Sequence, residues 1–463
     1  MKTSILFLFL SLCFSWVNHG QAILTDYNTF IKKVKDENPL MIQAENTKAL
    51  ADYQLQAAKG AFDPKINAGS TQKSLDGTKY YTVHEAGMKQ QLYASQYLKA
   101  GYDYQFGPYI NPENKTSQYG LPYAGIEISL LQGLQIDSKR ADLQKATYMK
   151  EYLDAESRLQ KNEILFRASQ QYTELLYILR LQSLGIQFTS LAAERLDFLK
   201  NLTNIGERAA IDTVEASIQL QTRQLELQGY QLEIIKKYND IKTITAQDQT
   251  NVKMADSTGS EFEVLYEKTK NSTIARMLSD EINNPILAQY DYKSKMIETD
   301  KRLKKEMIKP VLDVSYNMLH SLGNTTDNPV SVNNYKWSAQ FSMPLFLRKS
   351  RNEYKMAKIY LNNIQLEQNN YERQLNNKRE NAISAIELLQ QQIKLAQESN
   401  DFNRRLVEAE RLKFDNGEST LFMLNQRETK WLESSAKLLE LKLKFMKAAF
   451  ELIYIDGDLG YEL

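Results

Sequence analysis

The chain has 463 residues, with 58 lysines and arginines against 57 aspartates and glutamates. This balance leaves no basic excess to neutralise phosphates, which excludes a typical nucleic-acid partner. A mean hydropathy of -0.51, with no apolar run near the ~18 residues of a helical membrane span, excludes a bundle of transmembrane helices. Nine prolines and 18 glycines are few for this length, so long uninterrupted elements are expected.

The first 22 residues have the pattern of a secretory signal peptide. Lys2 precedes the apolar run from Ile5 to Phe14, and Gly20-Gln21-Ala22 offers small residues at a cleavage position. Cleavage after this tripeptide would remove Cys13, the only cysteine, so neither disulfides nor thiol chemistry apply to the mature chain. The sequence therefore predicts an exported protein.

The remaining chain contains an internal duplication. Asn38-Pro39-Leu40 corresponds to Asn284-Pro285-Ile286 at an offset of 246 positions. Farther along the chain the offset is 211, as shown by the pairs Arg140 and Arg351, Ala146 and Ala357, and Gly206 and Gly417. Several matches at a constant offset indicate two repeats of one unit. The change in offset indicates an insertion of 35 residues in the first repeat, between its two strand positions.

The duplication defines the predicted domain organisation. Each repeat opens with a helix-like stretch, continues in alternating segments and ends in a long helical region. The predicted segments are the signal peptide (1–22), the first repeat (23–244), an inter-repeat equatorial segment (245–284), the second repeat (285–456) and a C-terminal tail (457–463).

Apolar and polar residues alternate with period two in four segments. The clearest segments run from Leu312 to Met318, from Trp337 to Met343 and from Ile126 to Leu130, and a weaker one starts near Ile66. A run of about nine such residues is typical of a transmembrane β-strand. The pattern alone slightly favours the alternative, a soluble, half-buried hairpin.

A very long helical region follows each pair of strands. From Leu345 to Asp456 the chain has no proline and a single glycine, Gly417. Apolar residues on both sides of this glycine recur with the three- and four-residue spacing of a coiled-coil seam. The pattern predicts an antiparallel helical hairpin that turns at Gly417, and Gly206 marks the same turn in the first repeat. Gln221 and Gln228 occupy seam positions there, which suggests a less dry interface.

Membrane strands must close into a barrel, because an unpaired strand edge has no hydrogen-bond partner in hydrocarbon. Bacterial barrels usually have at least eight strands, so four strands from one chain are too few. If these strands span a membrane, several chains must share the barrel, and three chains would supply twelve strands.

The order of helix, strand pair and long hairpin, repeated once, resembles the TolC family of outer-membrane efflux proteins over nearly the whole mature chain. The segment from Ile205 to Val214 resembles the family's tip, Asn416 to Leu424 does so more loosely, and Tyr123 to Gly133 resembles the passage from strand to helix. The resemblance implies an α+β, mostly α, homotrimer with a twelve-stranded outer-membrane β-barrel and a periplasmic α-helical barrel. It also implies docking to a periplasmic adaptor (membrane fusion) protein that leads to an inner-membrane pump.

The resemblance also suggests the site residues. The adaptor-docking tips correspond to Ile205, Gly206 and Glu207 and to Asn416, Gly417 and Glu418, and the periplasmic constriction or gate corresponds to Asp212, Met423 and Gln426. Leucine often follows the tip glycine in the family, so Glu207 and Glu418 suggest either a more polar adaptor contact or a dedicated partner. Aspartates line the constriction of the best-known member, and Met423 and Gln426 stand at those positions here. A ring of carboxylates is therefore not expected.

The insertion, around Leu75 to Tyr119, is rich in tyrosine. Tyr102, Tyr104 and Phe106 alternate with polar residues, and aromatic side chains suit the interface of a membrane barrel. The insertion could add a strand pair or form an elaborated loop. In the first case the count of twelve strands is wrong.

The sequence offers no catalytic, cofactor or metal motif. After export only His84 and His320 remain, far apart and without cysteine, and the phosphate-binding loop motif is absent. We therefore expect no enzyme and no cofactor. The predicted function is the passive exit duct of a tripartite efflux or type I secretion system in the outer membrane of a Gram-negative bacterium. The alternative is an exported coiled-coil scaffold without a pore.

Overall fold

The computed structural model describes residues 26–92, 94–246, 260–278, 282–322 and 333–457. The predicted signal peptide (1–22) and all of the predicted tail except Gly457 lie outside these residues. The described helices are α1 (Tyr27–Glu37), α2 (Pro39–Lys59), α3 (Ser138–Asn204), α4 (Ala210–Thr245), α5 (Ser260–Met277), α6 (Pro285–Glu306), α7 (Arg348–Asp415) and α8 (Leu421–Asp456). The strands are β1 (Lys65–Leu75), β2 (Thr78–Gln91), β3 (Gln96–Phe106), β4 (Leu121–Ser129), β5 (Val311–Leu319) and β6 (Tyr335–Ser342). The predicted fold class, mostly helical with duplicated long hairpins and a β-sheet, is confirmed.

The two helical hairpins turn at the predicted glycines, but their arms are unequal. α3 has 67 residues and α7 has 68, whereas the returning helices α4 and α8 have 36 each. At 1.5 Å per residue, a long arm measures roughly 100 Å and a returning arm roughly 54 Å. The shorter helices α2 and α6 also pack against α3 and α7. Each long helix is therefore accompanied by two shorter helices of its own repeat. None of the described helices carries an apolar stretch of the length that a membrane span requires.

An Asn-Pro pair joins these shorter helices in both repeats. The side-chain oxygen of Asn38 accepts a hydrogen bond from the Leu40 N–H at the start of α2, and its Nδ2 donates to the carbonyl of Ile244 in the last turn of α4. Asn284 makes the same two bonds: its side-chain oxygen accepts from the Ile286 N–H, and its Nδ2 donates to the carbonyl of Ile455 in α8. One side chain thus satisfies backbone polar groups at two helix ends that have no partner within their own helix. Ile244 and Ile455 are 211 positions apart, so the duplication extends to this contact.

The main hydrophobic core lies along α3 and α8, where α1 and α5 pack across them. Tyr27 of α1 stacks on Phe450 of α8 at 5.6 Å, and Phe30 stacks on Tyr172 of α3 at 4.7 Å. Tyr266 of α5 meets the edge of Phe445 at 5.5 Å. The helix in the inter-repeat segment, α5, is therefore part of the core that holds the two repeats together.

The six described strands form one antiparallel sheet in chain order, from β1 to β6. The four strands expected from the repeats are β1, β4, β5 and β6, and the insertion supplies β2 and β3 between β1 and β4. The expectation of four strands per chain is thus corrected to six, and the alternative of an elaborated loop is wrong. Alternation is visible in β3, at Tyr102, Tyr104 and Phe106. In β2, polar Thr82 and His84 stand on the face that carries Met88, so the sequence left the strand pair and the loop open.

The two faces of the sheet differ in chemistry. Register pairs place apolar side chains opposite one another on one face, for example Ile126 opposite Tyr316 and Tyr316 opposite Trp337. Trp337 is 64% exposed. The other face carries charges, and Glu127 of β4 is bonded there to Lys89 of β2 and to Lys99 of β3. An apolar face that is open to solvent in the single chain needs a different environment to cover it.

Candidate functional site

Both hairpin tips have the same backbone geometry. In the first, Gly206 adopts a φ of 80°, its N–H donates to the carbonyl of Thr203 at 3.1 Å, and the Glu207 N–H donates to Leu202 at 2.9 Å. This pair of bonds is the Schellman motif, which closes a helix through a residue in the left-handed region. The second tip repeats it at a φ of 78°, with bonds from Gly417 to Phe414 and from Glu418 to Lys413.

The conformation, rather than a lack of space, requires glycine at the tips. A Cβ atom at either position would meet no atom within 4 Å. A side chain there would instead strain the backbone, because a left-handed conformation costs an L-residue roughly 1–2 kcal/mol. Both turns are therefore sharp, reproducible corners at the ends of the hairpins.

The predicted docking residues all lie at exposed positions on these corners. Their exposed apolar neighbours come from the flanking helices, so each tip presents a mixed apolar and acidic surface. The exposed residues are Ile205, Glu207, Asn416 and Glu418 in the turns, with Ile211, Leu412 and Phe422 beside them. Their role in binding an adaptor stays a prediction.

A small apolar cluster holds the two tips together. Its buried members come from both hairpins, and the Arg208 guanidinium lies over the ring of Phe414 at 5.1 Å, linking the first tip to the second hairpin. The cluster contains Leu196, Leu199, Ala216, Phe414, Leu421 and Leu424. The tips of one chain therefore form a single packed unit.

Close to this cluster, a buried polar layer connects three helices. Arg195 of α3 forms an ion pair with Glu428 of α8, and their side chains are only 10% and 7% exposed. The same guanidinium donates to the amide oxygen of Asn425 at 2.9 Å, and the Asn425 amide nitrogen lies 3.3 Å from Glu215 of α4. A buried ion pair thus links the two hairpins. Removing one partner would strongly destabilise the contact, because the other charge would stay buried without a partner.

A second polar bridge lies farther from the tips. Arg223 of α4, whose side chain is 5% exposed, pairs with Glu226 on its own helix at 2.9 Å. It also donates to the Thr429 hydroxyl of α8 at 2.9 Å. α4 and α8 are therefore linked directly as well as through α3.

The sequence prediction missed these polar bridges. One signal was available: the seam of α8, extended from Leu432 toward the tip by four and then three residues, falls on Glu428 and Asn425. Polar residues at seam positions often specify pairing partners in helical assemblies. The partner Arg195 lies 233 positions away from Glu428, and no local pattern connects the two.

The predicted gate residues do not belong to the buried polar layer of Arg195, Asn425 and Glu428. Asp212 is half-buried in the first turn of α4, Met423 is half-buried in the first turn of α8, and Gln426 is exposed one turn later. Among the described residues, no hydrogen bond or ion pair joins these three side chains. Their role at a constriction stays a prediction.

A third link between the hairpins lies in the core region. Glu174 of α3 accepts hydrogen bonds from Lys237 of α4 at 2.5 Å and from Lys447 of α8. Partial burial alone would raise the pKa of this carboxyl, but the two lysines more than offset that effect and hold its pKa below the usual range. The ionised Glu174 carboxylate therefore links the two repeats through its contacts with both lysines.

Comparisons with known proteins agree with this geometry. Residues 307–458 match the family of outer membrane efflux proteins. The resemblance to the TolC family is thereby confirmed. No curated protein matches the chain.

Several solved outer-membrane channels share the fold over nearly their whole length. The open-state MtrE channel of Neisseria gonorrhoeae has a TM-score of 0.67 at 11% identity, covering 93% of this chain and 88% of its own. The CmeC channel of Campylobacter jejuni has 0.65 at 12%, covering 94% and 87%. VceC, an outer membrane protein of Vibrio cholerae, has 0.64 at 13%, covering 94% and 96%. The similar proteins are outer-membrane channels rather than enzymes.

Proposed function

We propose that this chain is the outer-membrane exit duct of a tripartite efflux or type I secretion system. Three copies would form it, with the sheet in the outer membrane and the helical hairpins extending into the periplasm. The duct conducts substrates passively and performs no covalent chemistry. The proposal rests chiefly on the sheet, which joins an apolar outer face to a charged inner face on top of the duplicated hairpins.

The strand lengths suit a bilayer. The strands have 8 to 14 residues, and a tilted membrane strand needs about 9–11. Lipid would cover the apolar face that includes Ile126, Tyr316 and Trp337, and the duct interior would solvate Glu127 and its lysines. A coiled-coil scaffold without a pore gives no reason for so exposed an apolar face.

Assembly from several copies is supported by apolar stripes on the helices. In α4, Ile211, Ile218, Leu225 and Leu232 recur every seven residues and are 59–69% exposed. α7 carries a matching stripe of Leu388, Leu395 and Phe402, which are 58–66% exposed. Heptad stripes of this kind pack against a partner helix. Packing α4 of one copy against α7 of the next would bury both stripes and continue the helical wall.

The hairpin tips are the proposed contact with a periplasmic adaptor protein. They combine exposed apolar side chains with Glu207 and Glu418. A groove of about 460 Å³ adjoins the tips, lined by Phe198, Arg411 and Asp415 among others. The adaptor would link the duct to an inner-membrane pump, which supplies the energy for transport. The duct itself contributes a gate, opened when the hairpins realign near the tips.

Two measurements test the duct itself. Membrane fractionation followed by sizing in mild detergent should yield an outer-membrane oligomer of about three times the monomer mass. A soluble monomer would refute the duct and favour the scaffold. Deletion of the gene, followed by tests of drug susceptibility and a profile of secreted proteins, then separates efflux from secretion.

The tip assignment has its own test. Gly206→Val and Gly417→Val place a β-branched side chain at a φ near 80°, which distorts the corner without touching the sheet. Transport should fall while the detergent-resistant oligomer persists. Ala209→Val, in the same loop at an ordinary φ of -72°, is the matched control. Unchanged transport in the glycine variants would remove the tips from the docking surface.

A further inference from the structure

The inserted hairpin β2–β3 occupies the middle of the sheet rather than its margin. β1 is the counterpart of β5 at an offset of 246, and β4 is the counterpart of β6 at an offset of 211. In the second repeat β5 pairs directly with β6, whereas in the first repeat two whole strands lie between the corresponding pair. The insertion therefore widens the sheet by half, from four strands to six.

The inserted strands continue both faces of the sheet. On the apolar face, Met88 of β2 and Ala100 of β3 are register partners, and Ala100 faces Ala124 of β4. On the charged face, Glu127 of β4 bonds to Lys89 and Lys99, one from each inserted strand. A hairpin folded over one face would have to break this alternation.

Close packing fixes the hairpin to its neighbour β4. The Tyr123 ring of β4 lies across Gly101 of β3 and reaches toward Gly87 of β2. A Cβ atom at Gly101 would stand 2.5 Å from the ring, and one at Gly87 would stand 3.1 Å from the Tyr123 hydroxyl. Such an aromatic ring over strand glycines is a device that fixes the register of neighbouring strands.

The hairpin is also fastened to the helical part of its own chain. The Ser95 hydroxyl, at the turn between β2 and β3, lies within hydrogen-bond distance of two acceptors, the Gly133 carbonyl at 2.6 Å and the Asp137 carboxylate at 3.0 Å. Gln91 donates to the same carboxylate at 3.3 Å. Asp137 caps the first turn of α3. The turn between β2 and β3 therefore lies at the end of the sheet from which the chain enters α3.

The directions of the two end strands allow the sheets of several copies to close into one barrel. Neighbouring strands are antiparallel throughout, so β1 and β6 run in opposite directions and both present an unpaired edge. β6 of one copy can therefore pair antiparallel with β1 of the next, which an odd number of strands would forbid. We propose that three copies close an outer-membrane barrel of eighteen strands instead of twelve, with six of them supplied by the inserted hairpins. This inference rests on the proposed function.

The proposal assigns different widths to the two parts of the duct. Barrel diameter grows roughly linearly with strand number, so eighteen strands give a barrel about 1.5 times as wide as twelve. Each copy still contributes two helical hairpins, so the helical part gains nothing from the insertion. The narrowest passage and the selection of substrate by size then belong to the helical part, and the membrane part is a wide exit.

Electron microscopy of the purified oligomer in nanodiscs tests the strand number directly. We expect a trimer with eighteen strands. A chain in which residues 76–120 are replaced by a copy of the 320–334 connection should give a trimer with twelve strands and a barrel about 1.5-fold narrower. A native trimer with twelve strands and the hairpin outside the wall would overturn the inference alone, whereas a soluble monomer would overturn the duct as well.

Cysteine pairs test the same point in the unshortened chain, which has no native cysteine after the predicted cleavage. Ala100→Cys with Ala124→Cys joins register partners of β3 and β4 and should form a disulfide within the chain in outer membranes. Gln72→Cys with Ala124→Cys is the matched control. These two positions correspond to the register pair Met318 and Tyr335 of the second repeat, and they become neighbours only if the hairpin leaves the wall. Cross-linking of the control pair in place of the first pair would overturn the inference.

Discussion

Removal of the Arg195 guanidinium should loosen the two hairpins near their tips. In Arg195→Met the aliphatic part of the side chain is kept, but the Glu428 carboxylate loses its partner at a position where it is 7% exposed. Asn425 keeps its contact with Glu215. The perturbation is therefore an orphaned buried charge between α3 and α8.

The expected magnitude follows from that burial. Breaking a buried ion pair by removing one partner costs about 3–5 kcal/mol, because the remaining charge stays desolvated. At about 1.4 kcal/mol per factor of ten, the separated state of the hairpins should become roughly two to four powers of ten more populated. Replacing both residues, in Arg195→Met with Glu428→Met, removes the orphaned charge and should recover most of the loss.

Hydrogen exchange measures this opening directly. Amides in the first turns of α8, around Leu424 to Glu428, should exchange faster in Arg195→Met by the same factor. Single-channel recordings should show more frequent opening of the periplasmic end. Lys430→Met is the matched control on the same helix, because Lys430 and Glu433 form an ion pair that is 61% and 58% exposed and worth about 0–1 kcal/mol.

Two results would refute this reasoning. Exchange in Arg195→Met that equals exchange in Lys430→Met would mean that the buried pair does not hold the hairpins. A double variant as loose as the single variant would mean that lost packing, rather than an orphaned charge, causes the effect.

Three further predictions concern the core, the sheet and the assembly. The lowered pKa of Glu174 contributes stability that is complete above the unfolded value of about 4.3 and is lost as pH falls through the folded pKa. Glu174→Gln should therefore shrink the difference between thermal melts at pH 7 and pH 4, and an unchanged difference would contradict the assignment. Gly101→Val should push the Tyr123 ring aside and cost about 1–3 kcal/mol, seen as a lower melting temperature of the detergent-resistant oligomer; relief by Tyr123→Ala would identify the clash. Leu225→Glu should shift sizing profiles toward smaller species, because the α4 stripe would bury a charge, and an unaltered profile would exclude the stripe from the interface.

Much of the fold could be predicted from the sequence because it depends on interactions between residues that are close together in the chain. Strand alternation has a period of two and coiled-coil seams a period of about 3.5, so β5, β6 and the arms of the second hairpin could be predicted within a few residues. Gly206 and Gly417 stood out because only glycine takes the left-handed corner without strain. The duplication then transferred these elements to the first repeat.

The candidate site was predictable to a smaller extent. Its corners are local features, and the sequence located them correctly. The layer of Arg195, Asn425 and Glu428 depends on side chains from different hairpins that become neighbours only after both hairpins have packed. Polar residues on a seam signal that a partner exists, but they do not say which residue it is.

By itself the sequence determined two repeats, their long hairpins, their corners and the chemistry of the clearest strands. Only the tertiary structure decided that the inserted segment adds two strands to the sheet and that Asn38 and Asn284 each join two helices end to end. The physical reason is the same in each case. Strand pairing and helix-end contacts are made between residues distant in the chain, and their free energy depends on geometry that no local periodicity records.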